Sequence, residues 1–344
     1  MKAKSVCLIG YYGARNLGDD LLLKATIQVL NEINNFNIFI LGHNLVELKN
    51  IYSKPQFTVL SKFNLIDLFK AFYNCQVFIF GGGSLFQDAS SLKSLIYYCF
   101  LAFSLKLCGK KIVLLAQGIG PLNSFVARIL TKLVYQIADK VSLRDIESYN
   151  WVQKFNSKAV LSADLAWILE NNNSINNSNL NKQIIISLRS DHSSKELINN
   201  LALSIESNFA NYTVNLIAFQ SSDLPALEEL SLILNAKNIS NKIYFNLNEK
   251  QCRQLFNEAD FAYLMRFHAI LLSIQANCFC LGLSYDPKVK TLCQEAELPF
   301  LESLNLSINN IEYLNKNKDL KQFANNKKVF SLNINKKLLE SLYN

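Results

Sequence analysis

The chain has 344 residues and a formal net charge of +8, and half of its residues are hydrophobic. This length and composition suit two domains with sizeable cores and exclude a wholly disordered protein. The positive charge suits an anionic substrate or membrane surface, whereas scattered lysines without a basic run between aromatic residues argue against nucleic acid as a partner.

Short apolar runs alternate with helical patterns through the first half of the chain. This alternation predicts βαβ units and a mostly parallel sheet. The predicted strands are Val6–Ile9, Ile38–Leu41, Val77–Phe80, Ile112–Ala116, Val141–Leu143 and Ala159–Leu161. The helices predicted between them include Asp19–Ile33, Leu65–Phe72, Ser91–Leu107 and Phe125–Ile137.

The second half repeats the pattern after an asparagine-rich stretch at 171–182, which cannot bury much apolar surface and is interpreted as a linker. Its predicted strands are Ile184–Leu188, Val214–Phe219, Ile243–Phe245, Phe261–Leu264 and Phe279–Leu283. The lysine-rich tail at 319–344 has helical apolar spacing, and we expect it to pack back on the first domain. The sequence thus predicts an α/β protein with two doubly wound, Rossmann-like domains, at 1–170 and 183–318, facing each other across a cleft.

The cysteines and the apolar segments indicate the compartment. The eight cysteines include no CxxC motif, so we expect free thiols in a reducing environment and no metal site. The first residues do not resemble a secretory leader. Leu92–Leu107 is the most membrane-like segment, but it is interrupted by lysines and falls short of the ~20 apolar residues that a span requires. We therefore expect a cytoplasmic protein in which this segment is a buried crossover helix.

Polar residues and glycines follow several of the predicted strands. The first strand leads into Gly10–Asp20, the third into Gly81–Asp88 and the fourth into Gln117–Pro121. Glycines allow a ligand to approach the backbone closely, and ligands of such sheets bind outside the carboxyl ends of the strands. In the first of these turns, Asp19 or Asp20 either caps the following helix or contacts a substrate.

The turn Leu264–Ala269 combines the two most reactive side chains of this pattern. Arg266 carries a permanent planar charge suited to a carboxylate or phosphate, and His268 can exchange a proton near neutral pH. Because a helix begins here, its N-terminal N–H groups also favour an anion. The turn therefore predicts anion binding and proton transfer at one place.

As an ordered set, these motifs resemble the polysaccharide pyruvyl transferases, close to the CsaB type. The resemblance is carried by GYYGARNLGDD, GGGSLFQD, QGIGP, SLRD, MRFH and SYDPKVK, and runs from near residue 10 to near residue 290. It implies a two-domain fold like that of the GT-B glycosyltransferases. It also implies transfer of the enolpyruvyl group of phosphoenolpyruvate to a sugar as a cyclic ketal, with release of phosphate.

The resemblance places Arg144, Arg266, the backbone of Phe267, His268 and Lys288 at phosphoenolpyruvate. The family more often has an aliphatic residue where Phe267 stands, so the wall of the pocket is expected to differ there. His268 is the expected general acid, and acts also as base in one alternative. Phosphoenolpyruvate is the donor substrate, and no cofactor and no metal are expected.

The acceptor is expected to be an amino sugar or a polysaccharide precursor, free or linked to a lipid. Its binding residues are predicted in the polar turns of the first domain: Gly13, Asn16, Asp19, Gly82, Gly83, Ser84, Gln87, Asp88 and Gln117. A lipid-linked acceptor would bring the protein into peripheral contact with the inner face of the cytoplasmic membrane. The sequence does not indicate the oligomeric state.

Two other functions remain open at this stage. A GT-B-like glycosyltransferase would have the same fold and could hold the diphosphate of a nucleotide sugar with Arg266 and Lys288. A non-catalytic protein that binds phosphosugars would also need these cations. The presence of His268 beside them favours the transferase.

Overall fold

The alternating pattern folds into two parallel sheets, each with crossover helices. The structure is a computed structural model, and it describes residues 4–89, 91–170, 182–301 and 320–342. The chain divides into unit 1, made of Met1–Leu169 and Lys327–Asn344, and unit 2, Glu170–Asn326. Of the asparagine-rich stretch predicted as a linker, all but residue 182 lies outside the described residues.

Unit 1 contains a seven-stranded parallel sheet with the strand order β3-β2-β1-β4-β5-β6-β7. The strands are Ser5–Ile9 (β1), Asn37–Gly42 (β2), Phe57–Ser61 (β3), Val77–Gly83 (β4), Lys111–Gln117 (β5), Lys140–Leu143 (β6) and Val160–Leu161 (β7). The helices are Leu17–Ile33 (α1), Leu45–Ile51 (α2), Leu65–Asn74 (α3), Leu92–Leu107 (α4), Phe125–Ile137 (α5) and Ile146–Gln153 (α6). The sheet order reverses between β1 and β4, the arrangement of a doubly wound fold.

Unit 2 contains a six-stranded parallel sheet with the order β10-β9-β8-β11-β12-β13. The strands are Gln183–Ser187 (β8), Thr213–Ile217 (β9), Asn241–Tyr244 (β10), Phe261–Leu264 (β11), Phe279–Leu283 (β12) and Phe300–Leu301 (β13). The helices are Lys195–Phe209 (α7), Leu224–Ala236 (α8), Glu249–Glu258 (α9), Phe267–Gln275 (α10) and Pro287–Glu295 (α11). The predicted fold class, two doubly wound Rossmann-like domains, is confirmed.

The last helix, Lys321–Glu340 (α12), is tied to unit 1 by buried polar side chains. The amide of Asn335 donates to the hydroxyl of Ser162 over 2.7 Å, and its oxygen accepts from the hydroxyl of Ser142 over 2.7 Å. Ser331 donates to the carbonyl of Ala163. Because Asn335 is fully buried, these bonds satisfy polar groups that would otherwise be costly to bury.

Two strands are absent from the sequence prediction, and the ends of several predicted elements are shifted by one to three residues. β3 and β13 were not predicted, since β3 is only half apolar and β13 has two residues. Helix α1 begins at Leu17 rather than at Asp19, because Asn16 is its N-cap. Within the described ranges, no helix combines the length and hydrophobicity that crossing a membrane demands.

Candidate functional site

The turn between β11 and α10 carries Arg266, Phe267 and His268. Strand β11 ends at Leu264, and Arg266 occupies the N-cap position of α10 with an extended backbone. Its side chain does not cap the helix. The rings of Phe267 and His268 are perpendicular, with centroids 5.4 Å apart. The predicted strand–turn–helix is therefore confirmed, with the arginine at its tip.

The guanidinium of Arg266 is held by a carboxylate that the sequence did not reveal. Its Nε donates to Oδ2 of Asp223 over 3.1 Å, and its Nη2 donates to Oδ1 of the same residue. Asp223 also accepts from the backbone N–H groups of Phe219 and Gln220. Burial raises the pKa of Asp223, and the hydrogen bonds from Arg266 act against that rise. The pair fixes one edge of the guanidinium and thereby its orientation.

A second arginine follows β8, the strand that pairs with β11. The Nη1 of Arg189 donates to the hydroxyl of Tyr285 over 2.8 Å, and its Nε donates to Asp191 over 3.0 Å. Although burial acts to lower it, the hydrogen bonds to Asp191 and Tyr285 raise the pKa of Arg189. Because neighbouring parallel strands end at the same edge of the sheet, Arg189 and Arg266 place two fixed cations at that edge.

Lys288 lies at the start of α11, which follows β12. Asp286 caps this helix by accepting from the backbone N–H of Lys288 over 2.9 Å. Strands β11 and β12 are paired, so α10 and α11 begin at adjacent strand ends. The structure thus places Arg266, Phe267, His268 and Lys288, four of the five residues predicted to bind phosphoenolpyruvate, at one edge of unit 2.

Arg144, the fifth of these residues, belongs to unit 1. Its Nη1 donates to Asp164 over 2.7 Å and its Nη2 donates to the hydroxyl of Ser84 over 3.3 Å. A Cβ atom on Gly118 would lie 2.6 Å from the Nε of Arg144. Gly118 therefore leaves the space that the arginine occupies beside the end of β5.

The glycine turn at the end of β4 is held by a buried glutamine. Gln117 is fully buried, and its Nε2 donates to the carbonyls of Phe80 and Gly82 over 3.0 and 3.3 Å. Gly82 and Gly83 have positive φ angles, and a Cβ atom on Gly82 would lie 2.6 Å from the side chain of Leu22. Gln117 and the glycines therefore build the turn, and an acceptor contact at any of them stays a prediction.

The acids and amides after this turn shape the neighbouring loop. The carboxylate of Asp88 accepts from the backbone N–H groups of Asn123 and Ser124 over 2.7 and 2.8 Å. The side-chain oxygen of Gln87 accepts from the backbone N–H of Ala89 over 2.8 Å. Both side chains hold the loop backbone, and their contact with an acceptor stays a prediction.

The first polar turn is closed by Asn16 and Asp20. Asn16 caps α1 by accepting from the N–H of Gly18 over 3.1 Å, and Asp20 accepts from the N–H of Gly13 over 3.3 Å. Neither Asp19 nor Asp20 is the N-cap, which settles one of the alternatives that the sequence left open. Asp19 is therefore available for a different role.

Asp19 has the environment of a proton-exchanging carboxyl group. Burial and the neighbouring Asp20 raise its pKa to about 7, while Arg144 and Lys62 act in the opposite direction. A Cβ atom on Gly83 would lie 3.5 Å from Oδ1 of Asp19, so the carboxyl group adjoins the glycine turn. A carboxyl group with a pKa near 7 is suited to general acid–base catalysis.

Lys62, directly after β3, is a functional candidate that the sequence prediction missed. The residue is only 5% exposed, and its Nζ donates to the hydroxyl of Tyr98 over 3.2 Å. The rings of Tyr11, Phe63 and Tyr97 surround the Nζ at 5.0–5.6 Å from their centroids. Burial lowers the pKa of Lys62 to about 8. A cation so enclosed is stabilised by ring faces as well as by its hydrogen bond.

The chemistry that these side chains offer is anion binding and proton transfer. The described ranges contain no cluster of three or more histidine, cysteine or acidic residues with the geometry to hold a metal ion. Seven of the eight cysteines are buried, and burial raises the pKa of Cys252 and of Cys280 to about 12. These thiols are therefore protonated near neutral pH and unsuited to nucleophilic attack.

Solved structures share the fold of the whole chain. A glycosyltransferase from Rickettsia africae ESF-5 has a TM-score of 0.63 at 12% identity, with 100% of this chain and 98% of that chain covered. Anabaena HepE in complex with UDP-glucose has a TM-score of 0.66 at 12% identity, with 99% of each chain covered. S. aureus MnaA with UDP has a TM-score of 0.68 at 10% identity, with 97% and 94% covered. At these identities the likeness shows the fold alone, which is GT-B-like.

No curated protein matches the sequence. The family described as "Polysaccharide pyruvyl transferase" does match it, over residues 16–287. The matched range takes in most of both sheets, from the cap of α1 to the first residue of α11, and with them the arginine-bearing strand ends. By this match, the chain belongs to the polysaccharide pyruvyl transferase family.

Proposed function

We propose that the protein transfers the pyruvyl group of phosphoenolpyruvate to a sugar of a cell-surface polysaccharide or its lipid-linked precursor. The product is a cyclic ketal, and phosphate is released. Membership of the family supports the transferase class. The observation that carries the donor assignment is the Asp223-anchored Arg266 beside His268 at the start of α10.

The charges at this edge of unit 2 match the charges of phosphoenolpyruvate. The donor carries a carboxylate and a phosphate, and Arg266, Arg189 and Lys288 are the cations of three consecutive strand ends. Arg266 is already oriented by Asp223, so little conformational entropy is lost when a second anion binds its remaining donors. The first backbone N–H groups of α10 add a further preference for negative charge.

Ketal formation needs one proton delivered and two removed. His268 donates a proton to the methylene carbon of phosphoenolpyruvate, which creates an oxocarbenium-like centre at the neighbouring carbon. One sugar hydroxyl attacks that centre and loses its proton. The second hydroxyl attacks as the carbon–oxygen bond to phosphate breaks, and the phosphate departs with the bonding electrons and the remaining proton. The cations of unit 2 stabilise the charge on the departing phosphate.

The sugar hydroxyls require a base, and Asp19 has the suitable pKa in unit 1. Its carboxyl group lies beside the glycine turn at the end of β4, where the backbone can be approached closely. With a pKa of about 7, it can accept a proton from a hydroxyl and release it again near neutral pH. We therefore assign acceptor binding and deprotonation to this turn, and Arg144 to the donor by family resemblance.

The first experiment measures phosphate release from phosphoenolpyruvate by the purified protein. The acceptors are lipid-linked or soluble amino-sugar oligosaccharides, and a reaction without acceptor is run beside them. Acceptor-dependent release that falls by about 10²–10⁴ in His268→Ala supports the proposal, since this is the usual contribution of a general acid. The matched control is His192→Ala, because His192 lies in the same unit and stacks on Tyr285.

A binding measurement distinguishes the proposal from a nucleotide-sugar glycosyltransferase. We expect phosphoenolpyruvate to raise the melting temperature of the protein, and Arg266→Ala to abolish this shift. If UDP-sugars raised the melting temperature and phosphoenolpyruvate did not, the donor assignment would be wrong. If phosphoenolpyruvate bound without any release of phosphate across the acceptor panel, a non-catalytic binding protein would be favoured.

A further inference from the structure

Exposed apolar side chains are concentrated in one part of unit 1. Of the 21 large hydrophobic residues that are exposed in the described ranges, 13 lie between residues 63 and 133. They are Phe63, Leu65, Ile66, Phe69, Tyr73, Leu92, Ile96, Phe100, Leu107, Phe125, Val126, Ile129 and Leu133. These 13 residues, on and just before helices α3, α4 and α5, are called the α3–α5 face. In the described part of unit 2, only Leu203 and Leu232 are comparable.

The three helices form one layer on the same side of the sheet. Their inner side chains, such as Ala71 of α3, Leu95 of α4 and Ala127 of α5, belong to a single core cluster. The same cluster includes Cys7 and Ile9 of β1. Because alternate residues of a strand point to the same side of the sheet, the cluster and the three helices lie on one side. The outer side chains of the same helices therefore share one outward direction.

Helix α4 carries more apolar side chains than its packing against the core requires. Its inward side buries residues such as Leu95, Tyr98 and Leu105, while Leu92, Ile96 and Phe100 recur every four residues on the outside. Phe100 is 70% exposed. A helix that packs only against a sheet needs one apolar stripe. The second stripe is the kind of feature that marks an interaction site.

The charges of the three helices are strongly one-sided. On these helices, five cationic residues, Lys70, Lys93, Lys106, Arg128 and Lys132, accompany a single acid, Asp67, and among the described residues only Lys106 of the five is paired with an acid beyond them, Asp139 at 2.8 Å. Asp67 accepts a hydrogen bond from the N–H of Ser61. In contrast, helices α7 and α8 of unit 2 contain Lys195 with four glutamates. Apolar side chains flanked by lysine and arginine complement an anionic lipid surface.

The α3–α5 face also adjoins the polar turns of unit 1. Each of these helices follows a parallel strand, so each begins at the carboxyl edge of the sheet, where those turns lie. Phe63 packs against the rings of His43 and Tyr97 beside the enclosed Lys62. Phe125, which is 76% exposed, begins α5 at the same edge. A surface in contact with this face would therefore lie close to the turns.

We propose that the α3–α5 face docks on an anionic lipid bilayer. Its apolar side chains would enter the headgroup region, and the cationic side chains of helices α3, α4 and α5 would lie against the lipid phosphates. The proposal does not rest on the pyruvyl transfer reaction. If the acceptor is lipid-linked, docking at this edge presents the glycine turn to the membrane surface. The same chemistry excludes a strong preference for zwitterionic lipid, because the cations then have no net charge to neutralise.

The test is co-sedimentation of the full chain with vesicles, in the absence of any substrate. We expect binding to vesicles that contain phosphatidylglycerol and much weaker binding to phosphatidylcholine alone. Phe69→Ser with Phe100→Ser should lower the partition coefficient by about tenfold or more, since two apolar side chains no longer enter the interface. The matched control is Leu232→Ser, which removes a 71% exposed leucine from unit 2.

The charge contribution is tested separately with Lys70→Glu and Lys93→Glu. Both residues are exposed, so the variants should fold with an unchanged melting temperature and bind anionic vesicles about tenfold more weakly. Lys195→Glu in unit 2 is the control, with expected binding like that of the parent chain. Wild-type protein that fails to bind anionic vesicles would overturn the proposal. So would a stable dimer that becomes monomeric in the Phe69→Ser, Phe100→Ser variant, because a second copy would then cover the face.

Discussion

Units 1 and 2 have the same architecture but use their strand ends for different chemistry. In unit 2, Arg266 and Arg189 are each oriented by an aspartate, and the edge of the sheet presents fixed positive charge. In unit 1, the corresponding edge has a glycine turn, Asp19 with a raised pKa and an enclosed Lys62. Because a fold does not determine function, it is these strand-end residues to which the proposed function assigns the anionic donor, in unit 2, and the uncharged hydroxyl acceptor, in unit 1.

The helix layers of the two units differ as well. The α3–α5 face of unit 1 is apolar and cationic on its outside, whereas the outer charges of α7 and α8 in unit 2 are mainly acidic. The same βα pattern therefore supports an apolar and cationic outer surface in one unit and a mainly acidic one in the other. Substitutions that act in one unit and not in the other test this division.

The largest effect is expected at Arg266. Arg266→Lys keeps the positive charge. A lysine, however, cannot donate two hydrogen bonds to Asp223 and at the same time present further N–H groups to the anionic substrate of the proposed reaction. We expect kcat/KM for phosphoenolpyruvate to fall by about 10²–10³, and the melting temperature to fall as well, because the buried Asp223 loses part of its partner. Steady-state phosphate release and thermal unfolding provide the two readings.

Arg253→Lys is the matched control for this prediction. Arg253 is a buried arginine of the same unit, and it donates hydrogen bonds to Glu249 of α9 and Gln275 of α10. We expect it to lower stability and leave kcat/KM nearly unchanged. Equal losses of activity in both variants would show that Arg266 acts only through the stability of unit 2.

The second effect concerns the attachment of α12 to unit 1. Asn335→Leu should lower the free energy of unfolding by about 3 kcal/mol, because the buried hydroxyls of Ser142 and Ser162 each lose one of their hydrogen-bond partners. Chemical denaturation of the parent chain, of Asn335→Leu and of the control variant Lys336→Ala measures these free energies. Lys336→Ala, on the same helix, removes only a half-exposed ion pair with Glu32 at 3.5 Å and should cost less than about 1 kcal/mol. A comparable loss in both would mean that the buried hydrogen bonds contribute little.

The third effect distinguishes a glycine that is required by close packing from one that is required only by its backbone conformation. Gly82→Ala places a Cβ atom 2.6 Å from Leu22, at a φ of +22°, and should lower both stability and acceptor-dependent turnover. Gly109 has a φ of +70° but open space around its Cβ position, so Gly109→Ala should cost only about 1 kcal/mol. Chemical denaturation and phosphate release compare the two variants. An equal cost would show that backbone strain, and not packing against α1, explains the glycine at 82.

The sequence predicts the sheets and the turns of this protein well, because both depend on local patterns. Buried runs such as Val77–Gly83 are continuous and apolar, and the turn Arg266–His268 lies between such a run and a helical pattern. β3 was missed, since the polar residues Thr58 and Ser61 interrupt its apolar run. Lys62 was missed with it, because its importance depends on a strand end that had not been placed.

The partners of the site residues could not be predicted, since they depend on distant parts of the chain. Asp223 is 43 residues from Arg266, and Asn335 is 193 residues from Ser142. A signal for Asp223 existed in its position just after β9, at the same sheet edge as the arginines. For Asn335 no local signal existed, because an asparagine in a lysine-rich helix is usually exposed.

The smallest effect is a pH dependence of stability that sets unit 1 apart. Because the folded pKa of Asp19, about 7, lies above its ordinary value of 3.8, the folded state holds more protons between these values than the unfolded chain does. Stability therefore falls as pH rises through this range. The full penalty is present above pH 7 and absent below about pH 4.

Asp19→Asn removes this penalty, so the variant should melt a few degrees higher than the parent chain at pH 8 and at nearly the same temperature at pH 4. Two nearby groups change stability with pH in the opposite direction. Burial lowers the pKa of His43 to about 4 and that of Lys62 to about 8, so the unfolded chain holds more protons at these residues and their contribution to stability increases as pH rises. Because His43 and Lys62 are present in both proteins, the difference in melting temperature between the parent chain and Asp19→Asn reports Asp19 alone. Asp260→Asn in unit 2 is the control, and a variant–parent difference that did not change with pH would contradict the raised pKa. If Asp19→Asn also loses acceptor-dependent turnover while it gains stability at pH 8, the burial of this carboxyl group serves the reaction at the expense of the fold.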